Sequence, residues 1–424
     1  MSEIKIGFAK TDITPQTQRQ TIYHKRGTLD DAKTSVRDRL FARATAFRSN
    51  DEGAVWMTVD LLCVDTRLRN AVVAKLAAKG ISPDHVALCA THTHTAPTVV
   101  PFHSIEATPA AYLRSLEEKM LEAALGALES AKPAEIHFGR STVDLSVNRR
   151  EIGRMAEINS INSPTGLVDP EVNTAVICMK DDMRTGLLFN YGAHPLTMSK
   201  RNPQISADYP GRAVEYLETK WEAAHAQFLQ GCCGNANVKV HGEEQEAVMV
   251  GTWLAQAVLA GLSGATQSLS SDLRMATRTV RLPWGKMATA EAAAALATAH
   301  PNDKRTAEWA DAIRHAYTSG PVADHAEVIV QAMHLGDAVF VALPGEVFLE
   351  IGLAIKKQAG VDHVFVVANA NSCEIGYIPT AAAFPEGGYE IDSAPYYYGL
   401  FQLSPDCEEI IVGSALEAVK DVTA

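Results

Sequence analysis

The chain has 424 residues, of which 47% are hydrophobic and 21% are charged, and its formal net charge is −12. This composition is typical of a globular enzyme, and the length allows two or three domains. The acidic charge argues against nucleic-acid binding, because no basic block compensates it. No apolar stretch approaches the roughly 18 residues that indicate a membrane span.

The start of the chain and the cysteines favour a cytoplasmic location. Residues 1–6 lead directly into a strand pattern, without the apolar region of a secretory signal. The seven cysteines are scattered, mostly in apolar runs, and include no Cys-x-x-Cys pair. An odd, scattered set is typical of reduced thiols rather than of a disulfide framework, and none of these cysteines is expected to form a zinc–thiolate set. The sequence leaves the oligomeric state open, and a homo-oligomer is compatible with it.

Apolar runs and amphipathic segments alternate along the whole chain. Strands are predicted at 4–13, 40–47, 54–64, 85–90, 136–148, 172–179, 185–191, 226–230, 273–282, 326–335, 338–343 and 364–368. Helices are predicted at 68–79, 109–130, 210–220, 243–262, 288–299, 304–318, 347–357 and 409–419. This alternation predicts an α/β protein with mixed β-sheets flanked by helices. We expect one domain over 1–424, in which the small polar run 263–271 is the best place for a division into two lobes.

The strongest chemical signal is the Thr-His-Thr-His-Thr stretch at 91–95, which follows the predicted buried strand 85–90. Because Pro97 ends the strand, the histidines lie where strand becomes loop, and ligands gather at the carboxyl ends of strands in open α/β sheets. On an extended chain, His92 and His94 point the same way. They are candidates for two metal ligands or for one ligand beside a proton-transfer group, but two histidines bonded to loop backbone fit the same pattern.

Two further ligand candidates lie at the ends of later predicted strands. His194 follows the strand at 185–191, and Glu346 follows the strand at 338–343 after a Pro-Gly turn. Because about 100 residues separate His194 from His92, only folding can bring them together. Taken alone, His194 could equally be a buried structural histidine, and Glu346 could be an acid in the first turn of a helix.

A series of blocks, in order along the chain, resembles the catalytic domain of the neutral/alkaline non-lysosomal ceramidases, a family of zinc amidases. The blocks are the opening strand at 7–15, Thr-His-Thr-His-Thr at 91–95, Asn-Arg at 148–149, Asn-Tyr-Gly-Ala-His-Pro at 190–195, Ser-Ala-Asp-Tyr-Pro-Gly at 206–211, Phe-Leu-Gln-Gly at 228–231, Leu-Pro-Gly-Glu at 343–346, Gly-Tyr-Ile-Pro-Thr at 376–380 and Tyr-Glu at 389–390. Their order spans most of the chain, so the resemblance is more specific than any single motif.

The resemblance implies a ceramidase-like zinc hydrolase fold with a defined set of site residues. The implied Zn²⁺ ligands are His92, His194, Glu346 and Tyr377, the implied acid/base group is His94, and the implied substrate-facing groups are Arg149 and Tyr389. Nitrogen and oxygen donors suit Zn²⁺, which activates water and polarises carbonyl groups. A histidine can move the proton, and arginine and tyrosine can donate hydrogen bonds to an oxyanion.

The sequence departs from the family at 234–239, where Gly-Asn-Ala-Asn-Val-Lys stands in place of the family's Gly-Asp-Val-Ser-Pro-Asn. Family members are longer, exported or membrane-associated, and carry an additional β-sandwich domain, so this chain is expected to be a short cytoplasmic member. We predict a zinc-dependent hydrolase that cleaves an amide bond by zinc-activated water. The alternative is a zinc-dependent esterase or lactonase, or another zinc enzyme, acting on a small polyol or sugar-derived substrate.

A metal-binding protein without catalysis is a third hypothesis. The presence of His94, Arg149 and Tyr389 argues against it, because holding a metal requires none of them. Loops at 17–33, 99–108 and 381–398 are predicted to shape the pocket, and the aromatic run 396–398 is expected to pack in the core.

Overall fold

The computed structural model describes residues 3–15, 35–49, 52–100, 102–103, 108–150, 166–180, 185–198, 204–399 and 401–424. The predicted loop at 17–33 therefore lies outside the described residues. Within the described ranges, no helix is long and apolar enough to cross a bilayer.

Strands and helices alternate as the sequence pattern predicts. The strands are β1 (Lys5–Asp12), β2 (Phe41–Ser49), β3 (Glu52–Val59), β4 (Val86–Ala90), β5 (Lys132–Thr142), β6 (Ser146–Asn148), β7 (Glu171–Met179), β8 (Thr185–Tyr191), β9 (His225–Gln230), β10 (Ala236–Val238), β11 (Thr266–Gln267), β12 (Leu273–Lys286), β13 (His325–Leu335), β14 (Ala338–Ala342), β15 (Glu346–Val347), β16 (His363–Val367), β17 (Tyr377–Ile378) and β18 (Gln402–Leu403). The helices are α1 (Thr66–Ala77), α2 (Ala110–Glu129), α3 (Asp208–Thr219), α4 (Glu244–Leu262), α5 (Ala290–Ala299), α6 (Lys304–Ser319), α7 (Leu349–Gln358), α8 (Ala394–Tyr398) and α9 (Cys407–Thr423).

Two mixed sheets form the centre of the molecule. The larger has nine strands in the order β4-β3-β2-β1-β5-β7-β8-β9, with β11 paired to β5. Its β3–β4 and β8–β9 pairs are parallel, whereas the other pairs are antiparallel. The smaller has five strands in the order β16-β14-β13-β12-β18, and only its β14–β16 pair is parallel. The predicted α/β class with mixed sheets is confirmed.

Alternation of side chains along the strands gives each sheet two buried faces. The inner faces pack against each other through aromatic residues, with Trp56 of the larger sheet 5.7 Å from Phe340 of the smaller one and Phe340 stacked on Phe365 at 4.3 Å. Helices α1 to α4 cover the outer face of the larger sheet, and α7 and α9 cover the outer face of the smaller one. The result is a four-layer sandwich.

The ends of β4, β8, β9, β14 and β16 converge at one edge of this sandwich. Backbone hydrogen bonds join them: Asn371 N to Leu88 O at 2.8 Å, Ala368 N to Gln230 O at 2.9 Å, and Ala370 N to Leu343 O at 3.0 Å. Because the segments that follow these strands carry histidine, cysteine and glutamate, the convergence brings distant parts of the sequence into one site.

Several segments differ from their predicted form, and one of them is the loop predicted at 381–398, which contains helix α8. The predicted strand 136–148 is interrupted, because its last part, β6, pairs with β10 in a separate ribbon instead of with the larger sheet. The helix predicted at 347–357 begins two residues later, because Glu346–Val347 pair in parallel with Tyr377–Ile378. The run 263–271 connects α4 to β12, and it contributes the short strand β11 to the larger sheet.

The buried His225 makes the stability of the fold depend on pH. Its ring is 2% exposed and stacks on Phe8 with a centroid distance of 5.0 Å. Burial and the charge of Arg43 lower the pKa of His225 to about 3, from an ordinary 6.5. In the unfolded chain His225 binds a proton near its ordinary pKa of 6.5, whereas in the folded protein it does so only near 3. The contribution of neutral His225 to the free energy of unfolding is therefore fully present above about pH 6.5 and is lost as the pH falls towards 3.

When the pH falls from 7 to 5, His225 becomes protonated in the unfolded chain but stays neutral in the folded protein. We therefore expect the free energy of unfolding to fall by about 2 kcal/mol. Urea unfolding of the wild-type protein and the His225→Gln variant at both pH values isolates this contribution. The variant should lose about 2 kcal/mol less than the wild type over this interval, and an equal loss in the two proteins would contradict the assignment.

Candidate metal centre and active site

Three buried side chains from distant parts of the chain form the centre of the site. The Nε2 atom of His194 lies 2.9 Å from Oε2 of Glu346, and the Nε2 atom of His92 lies 3.3 Å from the same oxygen. The side chains of His92, His194 and Glu346 are 1%, 0% and 6% exposed. The fold thus brings three of the predicted metal ligands to one point.

The outer nitrogen of each histidine fixes which tautomer is present. Nδ1 of His92 lies 2.7 Å from the carbonyl oxygen of Leu62, and Nδ1 of His194 lies 2.6 Å from that of Cys233. A carbonyl oxygen only accepts hydrogen bonds, so both Nδ1 atoms carry a hydrogen. Burial and the charge of Arg149 lower the pKa of His194 to about 4. At neutral pH, its Nε2 therefore presents a lone pair to Glu346.

The carboxylate of Glu346 faces the lone pair of His194. Burial raises the pKa of Glu346, but the contacts with His92 and His194 outweigh it and hold the pKa well below its usual range. An ionised carboxylate and the lone pair of a neutral imidazole repel each other at 2.9 Å, and a cation bound to both atoms would remove this repulsion. Two imidazoles, each oriented by a backbone carbonyl, and one carboxylate are a donor set that fits Zn²⁺.

His94 belongs to the same cluster, although the backbone at His92 is not extended as predicted. Strand β4 ends at Ala90, and His92 has a left-handed φ of 65°. This conformation is costly for a residue with a Cβ, and such outliers are concentrated at functional sites. The Nε2 atom of His94 lies 3.3 Å from Nε2 of His92, and its ring centroid lies 5.4 Å from that of His194.

Arg149 reaches the site from the end of β6 and is fixed by a buried carboxylate. Its Nη1 lies 3.5 Å from Nε2 of His194, and its Nε donates to Oε1 of Glu390 at 2.9 Å. The other oxygen of Glu390 accepts from Arg150 at 2.7 Å. The side chain of Glu390 is fully buried, so one carboxylate balances two consecutive arginines.

Replacing Glu390 by glutamine is expected to lower the free energy of unfolding by about 3–5 kcal/mol, because two buried guanidinium groups lose the buried carboxylate that they share. The matched control is Glu386→Gln, since Glu386 also pairs with Arg150 but its side chain is 35% exposed. Because Glu386 is partly exposed, its pair with Arg150 should be worth less than about 1 kcal/mol. Chemical denaturation of the two variants measures both values, and equal losses would contradict the importance of Glu390.

The two predicted site tyrosines lie beside the histidine–carboxylate centre. Tyr377 is paired in register with Glu346 across β15 and β17, and the Arg149 guanidinium lies 5.4 Å from the centroid of its ring. The ring of Tyr389 lies 5.7 Å from that of Tyr377. All seven residues named from the sequence are therefore linked by direct contacts or strand pairing.

The sequence pattern did not single out Cys233. Its sulfur and the nitrogens of His92 and His194 form a set of possible metal-binding atoms that all lie within 4.8 Å of one another. Burial and the charge of Glu346 raise the pKa of the Cys233 thiol well above its usual range, which disfavours a thiolate there. Cys233 follows β9 just as His194 follows β8, and the two strands are parallel neighbours. This pairing of β8 with β9 is the signal that could have identified Cys233 as a site residue.

Tyr398 is the second residue that the sequence pattern did not identify as functional. Its ring packs edge-on against Phe102 at a centroid distance of 4.8 Å, as expected for an aromatic run in the core. Its hydroxyl, however, donates to Oε1 of Glu346 at 2.6 Å. No local motif marks this role, because 52 residues separate the two partners.

Comparisons with known proteins agree with this architecture. The sequence profile of the neutral/alkaline non-lysosomal ceramidases, N-terminal part, matches residues 4–264. A ceramidase complexed with C2 superposes with a TM-score of 0.76 at 16% identity, covering 99% of this chain and 75% of the other. Neutral ceramidase from Pseudomonas aeruginosa gives a TM-score of 0.75 at 17% identity, covering 100% and 76%. Among curated proteins, no sequence matches the chain.

Together the sandwich fold and the sequence match define a ceramidase-like hydrolase. The chain belongs to the neutral/alkaline non-lysosomal ceramidase family, because the family profile matches well over half of its residues. The family resemblance and the fold predicted from the sequence are thus confirmed.

Proposed function

We propose that the chain is a zinc-dependent hydrolase that cleaves an amide bond, with His92, His194, Glu346 and Tyr377 as the residues that hold the metal. The observation that carries this proposal is the 2.9 Å contact between Nε2 of His194 and Oε2 of Glu346, an arrangement that a cation bound to both atoms would stabilise. Zn²⁺ bound at this point would lower the pKa of a water molecule and polarise the scissile carbonyl group.

His94 is proposed to move the proton. It is 6% exposed and lies beside His92, within reach of a water molecule held at the histidine–carboxylate centre. As the water oxygen attacks the carbonyl carbon, His94 accepts the water's proton. It then donates this proton to the leaving nitrogen when the carbon–nitrogen bond breaks, so the products are a carboxylic acid and an amine.

Arg149 and Tyr389 are proposed to face the substrate. The Arg149 guanidinium is held in place by Glu390, so its charge is already oriented towards the centre before a substrate binds. A fixed donor of this kind stabilises the negative charge that develops on the carbonyl oxygen during attack. Tyr389 is partly buried and its ring contacts that of Tyr377, which supports a position beside the bound substrate.

The choice of an amide substrate rests on the family, whose solved members include a neutral ceramidase. Esters, lactones and polyol- or sugar-derived substrates use the same carbonyl chemistry and remain the alternative. All seven cysteines are free, which supports the proposal that the protein works in a reducing compartment such as the cytoplasm.

The test combines the zinc content of the purified protein with hydrolysis assays on N-acyl amides, esters and lactones, before and after chelation. We expect about one zinc per chain and amide cleavage that disappears with the chelator and returns with added zinc. Cleavage of esters or lactones alone would replace the amidase by the alternative. Failure to bind zinc would refute the zinc-hydrolase proposal.

A further inference from the structure

We infer that Tyr398 is a positioning residue that restricts Glu346 to binding the metal through one oxygen. The two carboxylate oxygens of Glu346 have different partners. Oε2 faces Nε2 of His194 at 2.9 Å and of His92 at 3.3 Å, whereas Oε1 accepts the Tyr398 hydroxyl at 2.6 Å. This inference rests on the proposed zinc site and adds a residue to it.

The position of the Tyr398 ring is fixed on more than one side. Tyr398 is the last residue of α8, and the following Gly399 has a left-handed φ of 69° that ends the helix. The ring packs edge-on against Phe102 and lies directly over Gly376, where a Cβ would come within 3.0 Å of it. The packing of the ring therefore positions the Tyr398 hydroxyl next to Glu346, independently of the hydrogen bond between them.

The hydrogen bond has a direct consequence for metal binding. A carboxylate that binds through both oxygens occupies two positions around a metal, whereas one that binds through a single oxygen leaves room for water and a substrate carbonyl. Because the carboxylate only accepts, the Tyr398 hydroxyl must donate, and this contact occupies Oε1. Outer partners of this kind typically change metal affinity by about 10–100-fold when removed.

The Tyr398→Phe variant removes only the hydroxyl and keeps the ring against Phe102 and Gly376. Zinc affinity is measured by competition with a chromophoric chelator, and the coordination of the site is read from the visible absorption spectrum of the Co²⁺-loaded protein. We expect zinc to bind about 10–100-fold more weakly, and the Co²⁺ spectrum to change because Oε1 becomes able to bind. The matched control is Tyr397→Phe, because Tyr397 is also buried but contacts Tyr389 and Arg305.

The readouts separate this inference from the proposed function and from a purely structural role. A variant that is only less stable would keep the wild-type Co²⁺ spectrum, and unchanged zinc affinity together with an unchanged spectrum would overturn the role of Tyr398. If the altered affinity and spectrum are found but no amide is hydrolysed, the inference stands and the proposed reaction fails. If the wild-type protein binds neither metal, both are overturned.

Discussion

Replacing Glu346 by glutamine is expected to weaken zinc binding by more than about 100-fold, beyond the effect of losing an outer partner. The amide keeps the shape of the side chain but removes the negative charge that faces both histidines. His92, His194 and Tyr377 then lack the anionic carboxylate that completes the proposed set of four ligands. Equilibrium dialysis against buffered zinc measures the affinity, and hydrolysis should be lost at zinc concentrations that saturate the wild-type protein.

The control for this substitution is Glu350→Gln on the neighbouring helix α7. It makes the same chemical change, but Glu350 accepts hydrogen bonds from Asn235 at 2.8 and 3.1 Å and does not face the histidines. Zinc binding in the control should match the wild type. A Glu346→Gln protein that kept full zinc occupancy would show that the metal lies elsewhere.

Replacing His94 by alanine is expected to lower kcat by about 10²–10⁴-fold while zinc remains bound. The proposed proton carrier is lost, but the three closest donors, His92, His194 and Glu346, are unchanged. Added imidazole should restore part of the activity, because a small base can occupy the space that the ring vacates. Zinc content, kcat and imidazole dependence are measured on the same preparation.

The control is His241→Ala, because His241 is exposed on the surface and its ring contacts the carbonyl oxygen of Leu196 at 2.8 Å. Its activity should equal that of the wild type. Loss of zinc from the His94→Ala protein would identify His94 as a metal ligand instead of a proton carrier. Full activity with zinc bound would remove His94 from the mechanism.

The secondary structure could be predicted from the sequence where one face of an element is apolar along its whole length. Helix α2 buries Tyr112, Leu116 and Met120 at four-residue spacing, and β4 is buried on both sides. Such periodicity depends only on neighbours in the chain. The interruption between β5 and β6 was not predictable in this way, because the partner of β6 is β10, nearly 90 residues later.

The site could be predicted only in part, for the same reason. His92 and His94 form a local motif, but the left-handed backbone at His92 depends on contacts with Leu62 and with the ends of other strands. The ends of predicted strands mark His194 and Glu346 as candidates, and the family resemblance supplies the long-range information that groups them with His92. Cys233 and Tyr398 lie outside those motifs, so only the folded structure shows that they contact the centre.

The proposed zinc ion would lie between His92, His194 and Glu346. Anomalous X-ray diffraction from a crystal of the zinc-loaded protein, recorded on both sides of the zinc absorption edge, tests this proposal most directly. We predict one strong peak about 2.0–2.2 Å from Nε2 of both histidines and from Oε2 of Glu346. A peak at another position, or no peak at this one in zinc-loaded crystals, would contradict the account.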